Sequence, residues 1–348
     1  MIDRWIGVDV HQSYCVATVK NERGDVLDHQ RIRSERGPLR AFFRRHGPQS
    51  AVAFEAGGSW PWFYDTVRPL VGEVAMGHPL KTRLIADAAI KNDRIDAGLL
   101  SDLLRGRLLP QAWPAPPEVR EARQLTRTRS VLVGLRAGMK TRIRSLLRLH
   151  GFQGPAALFG PTGRKFLAAI DLPPQARRSL EAFLGVIGGF DAPIQAYDEA
   201  IEQHTRRDAA CQLLMTIPGV GALTASVLTA EIGDIHRFPS ARKLCSWAGL
   251  VPRLYSSGGF QRTGPLTKQG NPWVRGILCE CVTTAVRCCA RFRSLALRVQ
   301  ARSGKASARA AVAREILTVA YAMLRTGEIF DPQRGKRGER ASAPPPRR

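Results

Sequence analysis

The sequence predicts an α/β domain followed by a mainly helical region, α/β plus α in class, on three observations. The first hundred residues alternate short apolar runs with helical periodicity. The stretch Trp113-Pro114-Ala115-Pro116-Pro117 then breaks regular structure and marks a boundary. Beyond it, Val119 to His150 contains no proline and repeats Leu125, Leu132, Met139 and Leu146 at sevenfold spacing, which predicts a long amphipathic or coiled-coil-like helix about 48 Å in length.

In chain order, Trp5 to Val10 and Tyr14 to Lys20 read as strands, and Asn21-Glu22-Arg23-Gly24 as a turn into a third strand, Val26 to Ile32. A helix across Leu39 to Arg45 precedes a strand ending at Glu55, which Gly57-Gly58 terminate. A second helix, a short strand at Glu73 to Met76 and a third helix follow. Three hairpin-linked strands and then alternating helices and strands is the order of an RNase H-like (RuvC-like) mixed sheet, expected over residues 1–112. In that fold the first strand carries an Asp, the fourth a Glu or Asp, and the last acids lie on a helix.

Acids in those places bear on chemistry. Asp9 interrupts the apolar run Trp5-Ile6-Gly7-Val8-Asp9-Val10, where a buried carboxylate costs several kcal/mol unless a cation or donors receive it. Glu55 ends a similar run. Asp93 and Asp96 in Lys91-Asn92-Asp93-Arg94-Ile95-Asp96-Ala97 are three apart, so a helix beginning there projects both from one face of its first turn. Singly, each acid is more commonly a turn former or helix cap. Together they leave charge uncompensated without a metal, and hard oxygen donors suit Mg2+, with Mn2+ the alternative.

The long helix belongs to an expected linker and basic helical region, 113–205. It carries Arg120, Arg123, Arg127, Arg129, Arg136, Lys140, Arg142, Arg144 and Arg148 against one acid, Glu121. Solvated faces normally mix signs, so this excess points to nucleic acid, with Arg136, Lys140 and Arg144 the chosen contacts. A further domain is expected over 206–330. There Ile217-Pro218-Gly219-Val220-Gly221 precedes a small-residue helix, Ala222 to Glu231, and resembles a helix-hairpin-helix whose Gly219 and Gly221 amides can approach a phosphate; a turn used purely for packing is the equal alternative. The tail 331–348, basic with Pro344-Pro345-Pro346, is expected to be disordered.

Composition agrees with a polyanionic partner. Lys+Arg total 53 against Asp+Glu 29, a formal net charge of +24. No apolar run reaches transmembrane length and Met1-Ile2-Asp3-Arg4 is no signal peptide, so a cytoplasmic location without membrane partners is expected. Seven cysteines without C-x-x-C pairing read as reduced, mostly packed thiols.

Downstream, Ala248-Gly249-Leu250-Val251-Pro252-Arg253 runs into a Ser-Gly segment, Ser256-Ser257-Gly258-Gly259, followed by Lys268-Gln269-Gly270-Asn271 and Arg275. A serine attacking phosphorus needs cations to balance developing charge, and Arg253, Arg262, Lys268 and Arg275 are candidates. The ordered set Gly-Val-Asp, Phe-Glu-Ala, Lys-Asn-Asp-x-x-Asp-Ala, Ile-Pro-Gly-Val-Gly, Gly-Leu-Val-Pro-Arg, Ser-Ser-Gly-Gly and Lys-x-Gly-Asn-x-x-x-Arg resembles the DEDD transposases of the insertion-sequence-110 family, relatives of the pilin-gene invertase. The resemblance spans nearly the whole chain; Pro265-Leu266-Thr267 departs slightly from its pattern. It implies a catalytic metal site of Asp9, Glu55, Asp93 and Asp96. It also implies a catalytic serine, Ser257 by position with Ser256 beside it, in a C-terminal transposase domain; dimer contacts through the long helix, in a dimer or tetramer; double-stranded DNA as substrate; a structured bridge RNA as guide; and work at the bacterial nucleoid. A RuvC-like Holliday-junction resolvase, which needs the acids but not Ser257, and a non-catalytic nucleic-acid-binding protein remain the alternatives.

Overall fold

The computed structural model describes residues 1–85, 92–257, 260–266 and 269–333. Chain contacts divide it into two compact units, Met1–Ala115 and Pro116–Arg348.

The first unit is a five-stranded sheet of order β3-β2-β1-β4-β5, formed by β1 (Arg4–Val10), β2 (Tyr14–Lys20), β3 (Val26–Arg33), β4 (Ser50–Glu55) and β5 (Glu73–Gly77). The first three pair antiparallel, while β1–β4 and β4–β5 are parallel. This is the RNase H-like arrangement expected from the element order. Helices α1 (Arg36–His46), α2 (Trp60–Val67), α3 (Pro79–Ile85) and α4 (Asp93–Arg105) complete the unit.

Strand alternation decides which faces they cover. Ile6 and Val8 of β1 and Val52 and Phe54 of β4 enter one core with Phe42, Phe43 and Phe63, from α1 and α2. The opposite parity on β4 and β5, Ala51, Ala53 and Ala75, packs against Leu100, Leu103 and Leu104 of α4. That face is paved with small residues, so α4 sits very close to the strands. At Gly7 a Cβ would collide with the Ala97 carbonyl and come within 2.5 Å of the Ser101 nitrogen. Ser101 Oγ donates to the Trp5 carbonyl at 2.8 Å, and Lys20 Nζ reaches Asp102 at 2.6 Å. Asp9 and Glu55 have the parity of Gly7 and Ala53, so both belong to the α4 face.

The second unit is helical: α5 (Pro117–Leu149), α6 (Pro161–Ala169), α7 (Pro174–Gly189), α8 (Asp191–Arg207), α9 (Ala209–Met215), α10 (Ala222–Ile232), α11 (Ala241–Trp247), α12 (Pro272–Cys288) and α13 (Ala290–Thr326), with a hairpin of β6 (Pro252–Ser257) and β7 (Phe260–Leu266). The long helix is present, at 33 residues. Its heptad leucines are only partly buried; the fully buried positions are Thr126, Ile143 and Leu147, the last two packing against α6 and α7. A core built from α9 to α13 includes Leu214, Leu228, Leu278, Phe292 and Ile316. Cysteines behave as packed thiols: all seven are free, five are buried, and burial pushes Cys211 up to about 11 and Cys281 up to about 12. The tail from residue 334, expected to be disordered, lies outside the described residues.

The α4 contact yields a test. Gly7→Ala should lower stability by about 1–3 kcal/mol through overpacking, read as a lower thermal midpoint. Gly37→Ala, in the first turn of α1 where a Cβ meets nothing within 4 Å, should leave it unchanged or slightly higher, since alanine suits a helix better than glycine. Equal midpoints for the two variants would show that α4 does not depend on the close approach.

Candidate functional site

The four acids meet because sheet parity and the close approach of α4 place them together. Asp9 lies near the carboxyl end of β1 and Glu55 ends the adjacent parallel strand, on either side of the point where the chain switches from one half of the sheet to the other. In open sheets that is where ligand crevices form. Asn92 caps α4 by accepting from the Arg94 N–H, which sets Asp93 and Asp96 in the first turn, facing the strand ends. A cavity of about 360 Å³ is lined by Asp9, His11, Glu55, Asn92, Asp93 and Asp96.

Its electrostatics are those of crowded like charges. Burial raises the Asp9 carboxyl above its usual range; His11 opposes the shift, while Asp93 and Asp96 add to it. Tyr14 donates to Asp93 Oδ2 at 3.0 Å, and that bond to a carboxylate raises the phenol's own pKa. Arg31 lies over the Tyr14 ring at 3.8 Å. His11 is the residue that sequence reasoning missed. Its Nε2 lies 3.0 Å from Asp9 Oδ2 and 3.2 Å from Asp93 Oδ2, and its charge and side-chain hydrogen bond hold the Asp9 carboxyl down against the rise from burial. The available signal was parity, because residue 11 continues the series 5, 7, 9 on the α4 side.

The donor set fits a hard divalent cation. Four carboxylates face one cavity, one of them, Asp9, is destabilised in its charged form by burial, and Asp9, His11 and Asp93 offer ligand atoms within 4.8 Å of one another. A second group, His204, Asp208 and Cys211, has comparable spacing. It is structural: Asp208 caps α9 by accepting from Ala210 and Cys211, and the Cys211 thiol hydrogen-bonds Thr229 at 3.2 Å.

In the second unit the downstream motifs converge. Gly249 and Gly270 pack back to back, a Cβ on Gly270 coming 2.7 Å from Gly249 N, and the Arg275 guanidinium lies against Gly249. The Asn271 N–H donates to the Trp247 carbonyl at 2.9 Å, while its side-chain oxygen caps α12 through Trp273 and Val274. The Asn271 amide then donates to Glu231 Oε2 at 2.6 Å. Glu231, 1% exposed, also receives Arg127 through two bonds of 2.7 and 2.8 Å and has Arg123 at 3.8 Å. Arg123 further donates to the Ala230 and Glu231 carbonyls that end α10.

Ser256 and Ser257 end β6 and pair with Gln261 and Phe260 of β7. Arg253 is exposed near the start of β6. Arg262 lies in β7. The side chains of Ser256, Ser257 and Arg262, and the whole of Lys268, lie outside the described residues. Gly219 has a packing reason for its lack of a side chain, since a Cβ would come 2.5 Å from Ala285 N; at Gly221, which precedes α10, it would meet nothing within 4 Å.

The basic face of α5 is less one-sided than its sequence suggests, because its acids come from other helices. Arg127 pairs with Glu231, Arg129 with Asp198 and Arg136 with Asp191, the last at 2.7 Å. Lys140 and Arg144 instead lie over the Phe159 ring, at 5.3 and 5.5 Å.

Comparison with known proteins gives two family matches and several relatives. Residues 6–151 match the DEDD family model described as a transposase, and residues 211–296 match that of the transposase IS116/IS110/IS902 family. The chain is 31% identical over 268 residues to a probable family 20 transposase of Pseudomonas aeruginosa, covering 74% of this chain and 77% of that protein. It is 28% identical to the transposase for insertion sequence element IS1111A of Coxiella burnetii, covering 78% and 75%. To the pilin gene-inverting protein of Moraxella bovis it is 33% identical over 34% of this chain and 38% of that one.

Two outcomes follow. In chelator, Asp9→Asn should melt at the same temperature as the parent or higher, because a carboxyl whose pKa folding raises destabilises the protein once ionised. The same variant should lose the thermal shift that Mg2+ or Mn2+ gives the parent; a retained shift would remove Asp9 from the metal site. Glu231→Gln should cost about 3 kcal/mol by leaving two arginines without their buried counter-charge, seen as a lower midpoint for the second unit, and an unchanged midpoint would contradict the role assigned to the pair.

Proposed function

We propose, for a chain that belongs to the transposase IS116/IS110/IS902 family, that it excises and inserts its own insertion-sequence element by serine attack on DNA, assisted by a divalent-metal site. The observation that carries this reading is the convergence of Asp9, Glu55, Asp93 and Asp96 on one cavity at the carboxyl ends of β1 and β4. Those four residues would hold Mg2+ or Mn2+. A cation there supplies neutralisation of charge developing on phosphoryl oxygens.

Ser257 is the nucleophile. Its Oγ forms a bond to phosphorus as the bond from phosphorus to the 3′-oxygen breaks; the serine loses a proton, the departing 3′-oxygen gains one, and the chain stays joined to a 5′-phosphate. Arg253, Arg262, Lys268 and Arg275 supply positive charge in the segment around the serine. Lys140 and Arg144, with no ion pair among the described residues, contribute phosphate contacts along α5, with Gly219 and Gly221 in the turn before α10.

Double-stranded DNA and a structured bridge RNA are the partners proposed, with a homo-oligomer, dimer or tetramer, formed through α5. Val131 and Leu135, half exposed and one turn apart on that helix, support the last. Among the described residues no helix is long and apolar enough to cross a membrane. The protein is proposed to work at the nucleoid in the bacterial cytoplasm.

Stopping the reaction with denaturant should trap protein covalently attached to a DNA 5′-phosphate. Ser257→Ala should remove adduct and product while keeping DNA affinity, which the basic surface dominates. An adduct lost in Ser256→Ala but kept in Ser257→Ala moves the nucleophile by one residue. Cleavage with free ends and no adduct in the parent would replace this reading with that of a metal-dependent nuclease.

A further inference from the structure

We propose that His11 is a fifth ligand of the metal centre, binding through Nε2 the cation that Asp9 and Asp93 share, and that this nitrogen biases the site toward Mn2+ over Mg2+. The inference rests on the reading of the four acids as a divalent-metal site.

Geometry carries it. Adjacent ligand atoms of a six-coordinate ion with bonds of about 2.1 Å stand about 3 Å apart. His11 Nε2 stands 3.0 Å from Asp9 Oδ2 and 3.2 Å from Asp93 Oδ2, two such edges meeting at the nitrogen. Burial raises the Asp9 carboxyl, and in the metal-free protein the imidazole opposes that rise by its charge and by a side-chain hydrogen bond, a contact that a shared cation would replace. The nitrogen is little exposed and stands within reach of both carboxylates at once, with Asp9, His11 and Asp93 offering ligand atoms within 4.8 Å of one another. It lies between two carboxylates as a third donor atom would.

The surroundings fix the ring in that position. His11 and Tyr14 flank the tight link between β1 and β2, where the His11 N–H donates to the Tyr14 carbonyl at 2.9 Å. Their rings pack at 4.6 Å, and the Tyr14 hydroxyl holds Asp93 Oδ2, the same oxygen that Nε2 approaches. Tyr14 thus orients two ligands at once, the role that outer groups play around metal sites. Mg2+ takes oxygen donors almost exclusively, whereas a neutral imidazole is a good ligand for divalent transition ions. One nitrogen among carboxylates therefore raises affinity for Mn2+ more than for Mg2+.

The test uses the full chain loaded with Mn2+ and electron spin echo spectroscopy, which detects nitrogen bound directly to the ion. The parent should show histidine nitrogen coupling, and His11→Gln should bind Mn2+ without it. The ratio of Mn2+ to Mg2+ affinity, measured by calorimetry, should fall about tenfold in His11→Gln, with the metal-free melting temperature checking that the variant is folded. Mn2+ binding to the parent without nitrogen coupling, or the same coupling in His11→Gln, would overturn the proposal and leave the acid site standing. Absence of Mn2+ binding by the parent would overturn both.

Discussion

The first unit depends on one steric constraint, the contact of the α4 backbone with the β1 backbone at Gly7. Polar bonds on either side, from Ser101 to Trp5 and from Lys20 to Asp102, set the helix along the strand, but the glycine sets how near it comes. That contact sets how near the two acids of the helix come to the two acids of the strands. Asp9 is two residues beyond Gly7, on the same face. Asp93 and Asp96 are in the first turn of the docked helix, and Glu55 ends the strand alongside. A helix resting on larger side chains would sit ångströms farther out, and two of the four carboxylates would move away from the other two.

Glu231 plays a comparable part in the second unit by electrostatics. A carboxylate buried among helices is tolerated because Arg127, Arg123 and Asn271 together satisfy it. The arrangement links α5, the end of α10 and the start of α12. The Asn271 backbone then meets Trp247, and its neighbour Gly270 meets Gly249, so the segment leading into β6 and its serines is anchored to the same carboxylate.

Much of this was legible in the residues. The strand order and the acids could be read because they depend on local alternation: a charge inside Ile6-Gly7-Val8-Asp9 stands out against its neighbours. The use of Gly7 could not, since its partners Ala97 and Ser101 are ninety residues away and a glycine in a strand has many meanings. His11 carried a local signal, the parity of Asp9, that a reading centred on acids passed over. The partners of the basic helix were not legible for the opposite reason: Asp191, Asp198 and Glu231, which pair with three of its arginines, lie far along the chain, and counting charge within a segment does not find them. The buried seam likewise falls at Thr126, Ile143 and Leu147, off the heptad leucines, because helices of the same unit, α7, α8 and α10 among them, cover that side of α5.

The residue that follows Asn271 has a chemical consequence over time. Asparagine side chains age by cyclising onto the backbone nitrogen of the next residue, opening afterwards to aspartate. Here that nitrogen belongs to Pro272, which has no hydrogen to lose, at a helix position where a missing N–H costs nothing. The amide facing Glu231 is thus shielded by its own sequence from the slow reaction that would set a second carboxylate against the first.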